Sequence, residues 1–305
     1  MELAEAKQLV ADTGRELLAK GLVARTWGNI SVRVDDTHFA ISPSGLGYER
    51  MQKEDVPILN REDGTWEGNR KPSSEYKVHA AAFACFDDVN FVIHTHQDYA
   101  TIVGLVGVDA LEMTQEEQAL LGKVCVAEYG LPGTDKLKEN VADAYKKGSK
   151  VVLMLHHGAV ILGADKEDAM HKAEVLEAVC KRTIEKKCTA DMNRALLEVA
   201  EQKNFRPQLD DIAQMVGCVI RVVEDDEAKI AKALSKADAV IVKGRGVVTG
   251  DVDPDDREAL IMLLGKSAVA KLYTQACGEK ASLSLLDCTL MRLVYVHKYS
   301  KKKEG

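Results

Sequence analysis

The run Val-Val-Leu-Met-Leu at residues 151–155 is the feature that most constrains how this chain can fold. A short, almost wholly apolar run of this kind is typical of a strand buried on both faces of a sheet. A second β-branched run, residues 91–96, predicts another short strand. Both runs are followed by stretches with helical spacing of apolar residues, of which residues 166–187 are the longest. The sequence therefore predicts an α/β fold in which short buried strands alternate with amphipathic helices.

Other segments predict the elements around these strands. Apolar residues at helical spacing predict a helix over residues 3–19, and period-two alternation predicts a hairpin from residues 29–34 and 39–42. Lys71-Pro72-Ser73-Ser74-Glu75 has the proline, the hydroxyl groups and the carboxylate that are typical of a helix start.

The chain is long enough for two domains, and a charged stretch ending near residue 205 suggests where they meet. We expect a first domain over residues 1–190 and a second over residues 205–305. Residues 152–163 resemble residues 240–250, and both segments lead into an acidic turn and a long helix. This similarity predicts that the second domain is a partial, degenerate repeat of the first.

Composition and charge exclude several classes of protein. With 41 Lys and Arg against 48 Asp and Glu, the formal net charge is −7, so no general attraction to nucleic acid or to anionic membranes is expected. No apolar stretch is long enough for a membrane span, and the acidic N-terminus does not resemble a secretory signal. The seven cysteines lack a Cys-x-x-Cys pair, which predicts buried, reduced thiols and a cytoplasmic location.

Histidines provide the candidate metal ligands. Residues i and i+2 of a strand share one face, so His94 and His96 can reach the same ion. His156 and His157 end the buried strand, and only one of these neighbours can join the first pair. Three imidazoles with an open position suit one divalent ion per chain; this donor set favours Zn²⁺ and tolerates Mn²⁺, Co²⁺ or Fe²⁺.

Glu75 is the candidate for acid–base chemistry because it stands at the start of a helix that must pack near His94. It is interpreted as a metal ligand, a general base or both in turn, with a carboxylate at a helix end as the alternative. His79 lies four residues further along the same helix face and is predicted to pack in the core or to support the site. His171 is predicted to be a surface residue.

Three short segments carry the groups that a phosphate dianion needs. Trp27-Gly28-Asn29, Pro43-Ser44-Gly45 and Pro72-Ser73-Ser74 offer backbone N–H groups, hydroxyls and a helix N-terminus. Neither a Gly-x-Gly-x-x-Gly nor a P-loop pattern occurs, so a nucleotide cofactor has no support from the motifs.

These motifs, in this order, resemble the class II aldolase/adducin family. The resemblance extends over residues 1–187 and rests on Thr26-x-Gly28-Asn29-x-Ser31, Ser42-Pro43-Ser44-Gly45, Lys71-Pro72-Ser73-Ser74-Glu75, His94-x-His96 and His157-Gly158. It implies a three-layer α/β/α sandwich around a mainly antiparallel sheet, and a homotetramer with active sites near subunit interfaces. It also implies the roles of the site residues: a metal on His94, His96 and His157, an acid/base at Glu75, and a phosphate site made by Gly28, Asn29, Ser44, Gly45, Ser73 and Ser74.

The sequence departs from the family pattern in two places. Family aldolases carry a tyrosine in the stretch after the His-x-His helix, whereas residues 111–117 here are acidic and contain none. The chain also continues about 100 residues further, and Arg245 stands where the repeat would place His157. We expect this C-terminal part to serve assembly and packing, with Tyr273, Tyr295 or Tyr299 as the aromatic residue that completes a neighbouring site.

The function that the resemblance implies is cleavage of a ketose 1-phosphate to dihydroxyacetone phosphate and an aldehyde. A pentulose-phosphate 4-epimerase is the alternative, although those epimerases resemble Pro-Ser-Ser-Asp at the position of Glu75. A decarboxylase or dehydratase on the same scaffold, and a non-catalytic interaction protein similar to adducin, are further alternatives. The predicted partner is a phosphorylated sugar, with no nucleic acid and no membrane.

Overall fold

The structure is a computed structural model that describes residues 1–296, and the chain divides after Cys180 into two units. In the first unit, the helices are α1 (Leu3–Ala19), α2 (Tyr76–Cys85), α3 (Asp98–Val103), α4 (Gln115–Leu121), α5 (Asp135–Lys146) and α6 (Lys166–Glu185), with a 3-10 turn at Lys53–Asp55. The strands are β1 (Asn29–Arg33), β2 (His38–Ile41), β3 (Ile58–Asn60), β4 (Trp66–Glu67), β5 (Phe91–Thr95), β6 (Val124–Ala127), β7 (Val151–Met154) and β8 (Gly158–Gly163). The division between the units lies inside α6.

The eight strands form one mixed sheet in the order β4-β3-β2-β1-β5-β8-β7-β6. Every neighbouring pair is antiparallel except β6 and β7, which run parallel. The prediction of a mainly antiparallel sheet is therefore confirmed. All four residues of β7 are buried, as the apolar run at residues 151–154 predicts.

Helices cover both faces of this sheet. The side chains of α2 and α5 pack with alternate residues of the strands in one apolar cluster, which includes Phe39, Phe83, Val92 and Tyr145. Helix α1 packs against β1 and β2, and α3 against β7 and β8, and their buried side chains lie outside that cluster. Since successive strand residues point to opposite faces, these helices form the second outer layer.

Strand pairing brings the ends of three strands together at one edge. Asn29 at the start of β1 pairs with His94 near the end of β5, and Thr95 pairs with Ala159 near the start of β8. This register places His94 of β5 beside the start of β1 and the turn between β7 and β8.

The second unit contains the rest of the described chain. Its helices are α7 (Met192–Ala200), α8 (Asp210–Val216), α9 (Glu227–Leu234), α10 (Pro254–Ala276) and α11 (Leu285–Val294), and its strands are β9 (Val222–Val223), β10 (Ala239–Val242) and β11 (Gly246–Thr249). The strands form a three-stranded sheet in the order β11-β10-β9.

Strand pairing in this small sheet matches that of β6, β7 and β8. In both sets the first two strands are parallel and the last two antiparallel, and a helix separates the first two. A short helix precedes each set and ends at a glycine with positive φ, Gly122 at +62° and Gly217 at +85°.

The tight turns of the two hairpins also match. His156 and Gly244 both adopt positive φ, +64° and +67°. The N–H groups of the next residues, His157 and Arg245, donate to the residue three positions earlier in each case. These parallels are consistent with a partial duplication, which stays a prediction.

The charged stretch before residue 205 contains α7, which buries Ala195, Leu196, Val199 and Ala200 and packs against α10. One sequence-based expectation needs correction. The cysteines are free thiols, as expected, but they are not all buried: Cys85 is exposed, and only Cys180 and Cys288 are fully buried.

None of the helices in residues 1–296 is long and apolar enough to cross a membrane.

Candidate metal centre

Three buried imidazoles meet where β5 ends and β8 begins. His94 lies in β5, His96 directly follows it, and His157 lies in the turn between β7 and β8. One possible ligand atom from each residue lies within 4.8 Å of the other two.

The turn after β7 decides which of the two adjacent histidines joins the cluster. His156 is a non-glycine residue with φ at +64°, and the N–H of His157 donates to the Met154 carbonyl over 3.0 Å. This tight turn directs His157 towards His94, with ring centroids 4.9 Å apart. The His156 ring instead packs edge-on against Tyr129.

The surroundings of His94 orient its ring for metal binding. Its Nδ1 lies 3.0 Å from the Ala159 carbonyl, so Nδ1 carries the proton and donates it there. Its Nε2 faces His96 Nε2 at 3.2 Å and the centre of the cluster, so Nε2 is the nitrogen that is placed to reach a bound cation. This is the usual arrangement for a metal-ligating imidazole, and the donor set fits one divalent ion of intermediate softness.

Gly158 and Trp27 complete the walls of this centre. A Cβ atom on Gly158 would lie 2.9 Å from His94 Cε1 and would also overlap the Thr95 carbonyl, so β8 can approach β5 only with glycine there. The indole of Trp27 stacks on His96 with centroids 6.3 Å apart and planes 25° from parallel.

Glu75 brings a carboxylate into contact with two of these imidazoles. It occupies the N-cap position of α2, but its side chain caps no backbone N–H group of the helix. Its oxygens instead lie 3.2 Å from His94 Nε2 and 2.9 Å from His157 Nε2. Burial by itself raises the pKa of Glu75, but the charges and hydrogen bonds of the two histidines outweigh burial and hold the pKa well below its ordinary value.

A buried hydrogen-bond chain supports Glu75 from behind. Asn29 Nδ2 donates to Glu75 Oε2 over 2.8 Å, and Asn29 Oδ1 is bonded to His79 Nε2. The other ring nitrogen of His79 lies 2.6 Å from Ser31 Oγ. Burial lowers the pKa of His79 to about 3, so its ring is neutral at physiological pH.

The three predicted phosphate-binding segments lie at the same edge of the sheet. The N–H of Ser44 donates to the Lys71 carbonyl and that of Ser73 to the Ser42 carbonyl, which joins the second segment to the third. Ser42 in turn bonds Ile30 in the first segment's strand, through both its backbone and its hydroxyl group. Gly28 has φ at +82° and packs against the His94 carbonyl, a position that excludes a larger residue.

In the three predicted phosphate-binding segments, Gly45 and Ser74 are exposed and Ser44 is half-buried. Ser73 and Asn29 are buried. The Asn29 side chain is directed to Glu75 and His79, which the phosphate-binding prediction does not foresee. Phosphate binding by these six residues stays a prediction.

Sequence patterns alone did not reveal several neighbours of the centre. The stacking of Trp27 on His96 and the contact of Tyr129 with His156 come from loops that carry no periodic signal.

Of the candidate tyrosines, Tyr273 is fully buried in α10 of the second unit, and Tyr299 lies outside the described residues. Within the acidic stretch without a tyrosine, α4 begins at a capping box formed by Thr114 and Glu117.

Comparison with known proteins agrees with this geometry. The family model for the class II aldolase and adducin N-terminal domain matches residues 8–184. An L-ribulose-5-phosphate 4-epimerase of Salmonella paratyphi C (strain RKS4594) is 30% identical over 57% of this chain and 82% of its own length. A 3-oxo-tetronate 4-phosphate decarboxylase of Haemophilus influenzae is 32% identical over 57% of this chain and 85% of its own.

A solved structure gives the corresponding result for the fold. The structure of an L-fuculose 1-phosphate aldolase superposes with a TM-score of 0.56 and 31% identity, over 60% of this chain and 86% of that one. The names of these relatives thus describe three different reactions.

Proposed function

The chain belongs to the class II aldolase and adducin family, and from that premise we propose that it is a metal-dependent aldolase. In this proposal it cleaves a ketose 1-phosphate to dihydroxyacetone phosphate and an aldehyde by a retro-aldol reaction. The observation that carries the proposal is the contact of the Glu75 carboxylate with His94 and His157 inside a three-histidine cluster. An acid–base group and a metal-binding group within one buried site are what a retro-aldol cleavage requires.

His94, His96 and His157 would hold one divalent ion, for which their three imidazoles favour Zn²⁺ over Mn²⁺, Co²⁺ or Fe²⁺. A bound ion would supply Lewis-acid stabilisation of the negative charge that develops on substrate oxygen during cleavage. The hydrogen bond from His94 to the Ala159 carbonyl keeps that imidazole in the tautomer that can bind a cation.

Glu75 would act as the acid/base. When the bond between C3 and C4 of the ketose breaks, C3 keeps the electron pair and must gain a proton. Glu75, whose carboxylate is ionised because its pKa is held low, would accept the proton that the C4 hydroxyl loses as the aldehyde forms. It would then deliver this proton to C3. The hydrogen bond that Asn29 Nδ2 donates to Glu75 holds the carboxylate in one orientation for this proton transfer.

The phosphate would be held by the backbone N–H groups and side chains of the three segments at the sheet edge. These residues are Gly28, Asn29, Ser44, Gly45, Ser73 and Ser74. Such anchoring fixes the reacting carbons relative to Glu75, and orientation of this kind contributes much of an enzyme's rate enhancement.

Two further reactions are favoured by the relatives rather than by the site. The epimerase and the decarboxylase are as similar to this chain as the aldolase is. A 4-epimerase breaks and remakes the same bond, so it would use the same metal centre. Glutamate at position 75 favours the aldolase, and the presence of Glu75 together with all three histidines argues against a non-catalytic, adducin-like protein.

A panel assay separates these reactions. The purified protein is incubated with ketose 1-phosphates, pentulose 5-phosphates and 3-oxo acid phosphates, each with and without a chelator. We expect chelator-sensitive release of dihydroxyacetone phosphate from a ketose 1-phosphate. Inversion at C4 or release of CO₂ in its place would assign the epimerase or the decarboxylase, and inactivity of the metal-loaded protein on all classes would favour the adducin-like alternative.

We further propose that the protein is a homotetramer with its sites near subunit interfaces. In this proposal residues 1–190 are the catalytic domain and residues 205–305 a degenerate half-repeat that serves assembly. Arg245 supports the second role, because it takes the place of His157 and bonds Asp225 instead of joining a metal cluster.

A further inference from the structure

A chain of buried hydrogen bonds runs from Glu75 through Asn29 and His79 to Ser31. The donor and the acceptor of each bond can be derived by starting at Glu75. Glu75 is an acceptor, so the group of Asn29 that faces it over 2.8 Å must be the amide nitrogen. The amide oxygen of Asn29 then faces His79 Nε2, which must carry a proton. His79 Nδ1 then has no proton, so it accepts a hydrogen bond from the Ser31 hydroxyl group over 2.6 Å.

Burial makes this direction obligatory. Ser31 and His79 are fully buried and Asn29 is only 2% exposed, so water does not replace a lost partner. If the other tautomer of His79 formed, its bare Nε2 would face the oxygen of Asn29. The Asn29 amide would have to turn over, and its oxygen would then point at the Glu75 carboxylate.

We propose that His79 is a positioning residue that acts through Asn29 to aim the Glu75 carboxylate at His94 and His157. The hydrogen bonds of His79 run to Asn29 and Ser31, so its imidazole lies one residue removed from the acid–base group. The inference rests on the proposed function for its catalytic consequence, but its structural content, the His79 tautomer, does not depend on any activity.

The tautomer is tested directly by ¹⁵N–¹H correlation spectra of the imidazoles in the full-length, metal-loaded protein. We expect His79 to be neutral, with the proton on Nε2 and none on Nδ1, from pH 5 to pH 8. The signal is assigned by its loss in His79→Gln. A proton on Nδ1, or a charged ring, would overturn the proposal whether or not the protein is an aldolase.

The catalytic consequence is tested with two substitutions at the same position. His79→Leu removes the donor to Asn29, whereas His79→Gln retains an amide N–H that can take the place of Nε2. With the ketose 1-phosphate that the panel identifies, we expect kcat to fall about 10- to 100-fold in the leucine variant, as for loss of a hydrogen bond to a charged group. KM and metal content stay near their wild-type values, and the glutamine variant recovers most of the rate.

A double substitution separates positioning from packing. In an Asn29→Ala background, His79→Leu should have little additional effect on kcat, because the path to Glu75 is already broken. His171→Leu, at an exposed histidine, is the matched control and should leave kcat unchanged. Equal losses from His79→Leu in both backgrounds would mean that His79 only fills space and would contradict the proposal. If His79→Leu does not fold, or if no substrate is cleaved, the His79 tautomer measured in the ¹⁵N–¹H spectra alone decides whether the proposal holds.

Discussion

The proposed metal centre can be tested by removing one of its three imidazoles. His96→Ala should lose most of the bound divalent ion, because two remaining histidines rarely retain an ion that three held. The substituted side chain is 9% exposed and lies at the end of β5, so the fold should survive. Metal content per chain, measured by elemental analysis after dialysis, is the readout.

The matched control for this substitution is His171→Ala. His171 is exposed on α6 and is not a member of the cluster, so its removal should leave the metal content unchanged. A metal content in His96→Ala equal to that of the wild type would place the bound ion at other residues.

Glu75 can be tested separately from the metal. Glu75→Gln keeps the shape of the side chain but removes its ability to carry a proton, so kcat should fall about 10²- to 10⁴-fold while the metal stays bound. Steady-state kinetics on the identified substrate, together with elemental analysis, measure both quantities. Glu167→Gln, at an exposed position of α6, should behave like the wild type; full activity in Glu75→Gln would reduce Glu75 to a structural carboxylate.

At the scale of elements, the approach of β8 to β5 depends on Gly158. A methyl group there meets the Thr95 carbonyl and lies 2.9 Å from His94 Cε1, so the two strands must separate. We expect Gly158→Ala to lower the free energy of unfolding by about 1–3 kcal/mol, as for other overpacked sites, and to weaken metal binding through His94.

Denaturant titration of the purified variant measures this change. Gly104→Ala is the control, since Gly104 has ordinary helical backbone angles at the end of α3 and its added Cβ would meet Leu153 only at 3.4 Å. Stability equal to that of the wild type in Gly158→Ala would show that the sheet can open here at no cost.

Most elements of the first unit follow from local patterns in the sequence. The predicted helix at residues 3–19 matches α1, and the predicted hairpin matches β1 and β2 to within two residues. Helices α4, α7, α8, α9 and α11 were not predicted. Each has ten residues or fewer, and helices this short gain most of their stability from tertiary packing rather than from their own sequence.

At the scale of the whole molecule, the C-terminal unit is the part with the least explained function. We expect a protein truncated after Lys187 to be aggregated or monomeric, with little activity. A half-repeat can bury its apolar faces only against other structure, so the intact chain would depend on it for assembly. Light scattering and turnover measurements on the truncated and full-length chains test this. A soluble truncated oligomer with full activity would show that the C-terminal unit is dispensable.

The sequence by itself determined the α/β class, the family and the identity of the candidate ligands, because strand periodicity and short motifs are local properties of a chain. Strand periodicity left open which of His156 and His157 points towards His94, and the helix-start pattern left open where the Glu75 carboxylate points. The tertiary structure decided both. The left-handed conformation of His156 turns His157 inwards, and the register of β1 on β5 sets Asn29 beside His94, where its side chain also reaches Glu75. Contacts between residues 46 or 82 positions apart, such as those of Glu75 with Asn29 and His157, exist only once the sheet has closed, so no local pattern can encode them.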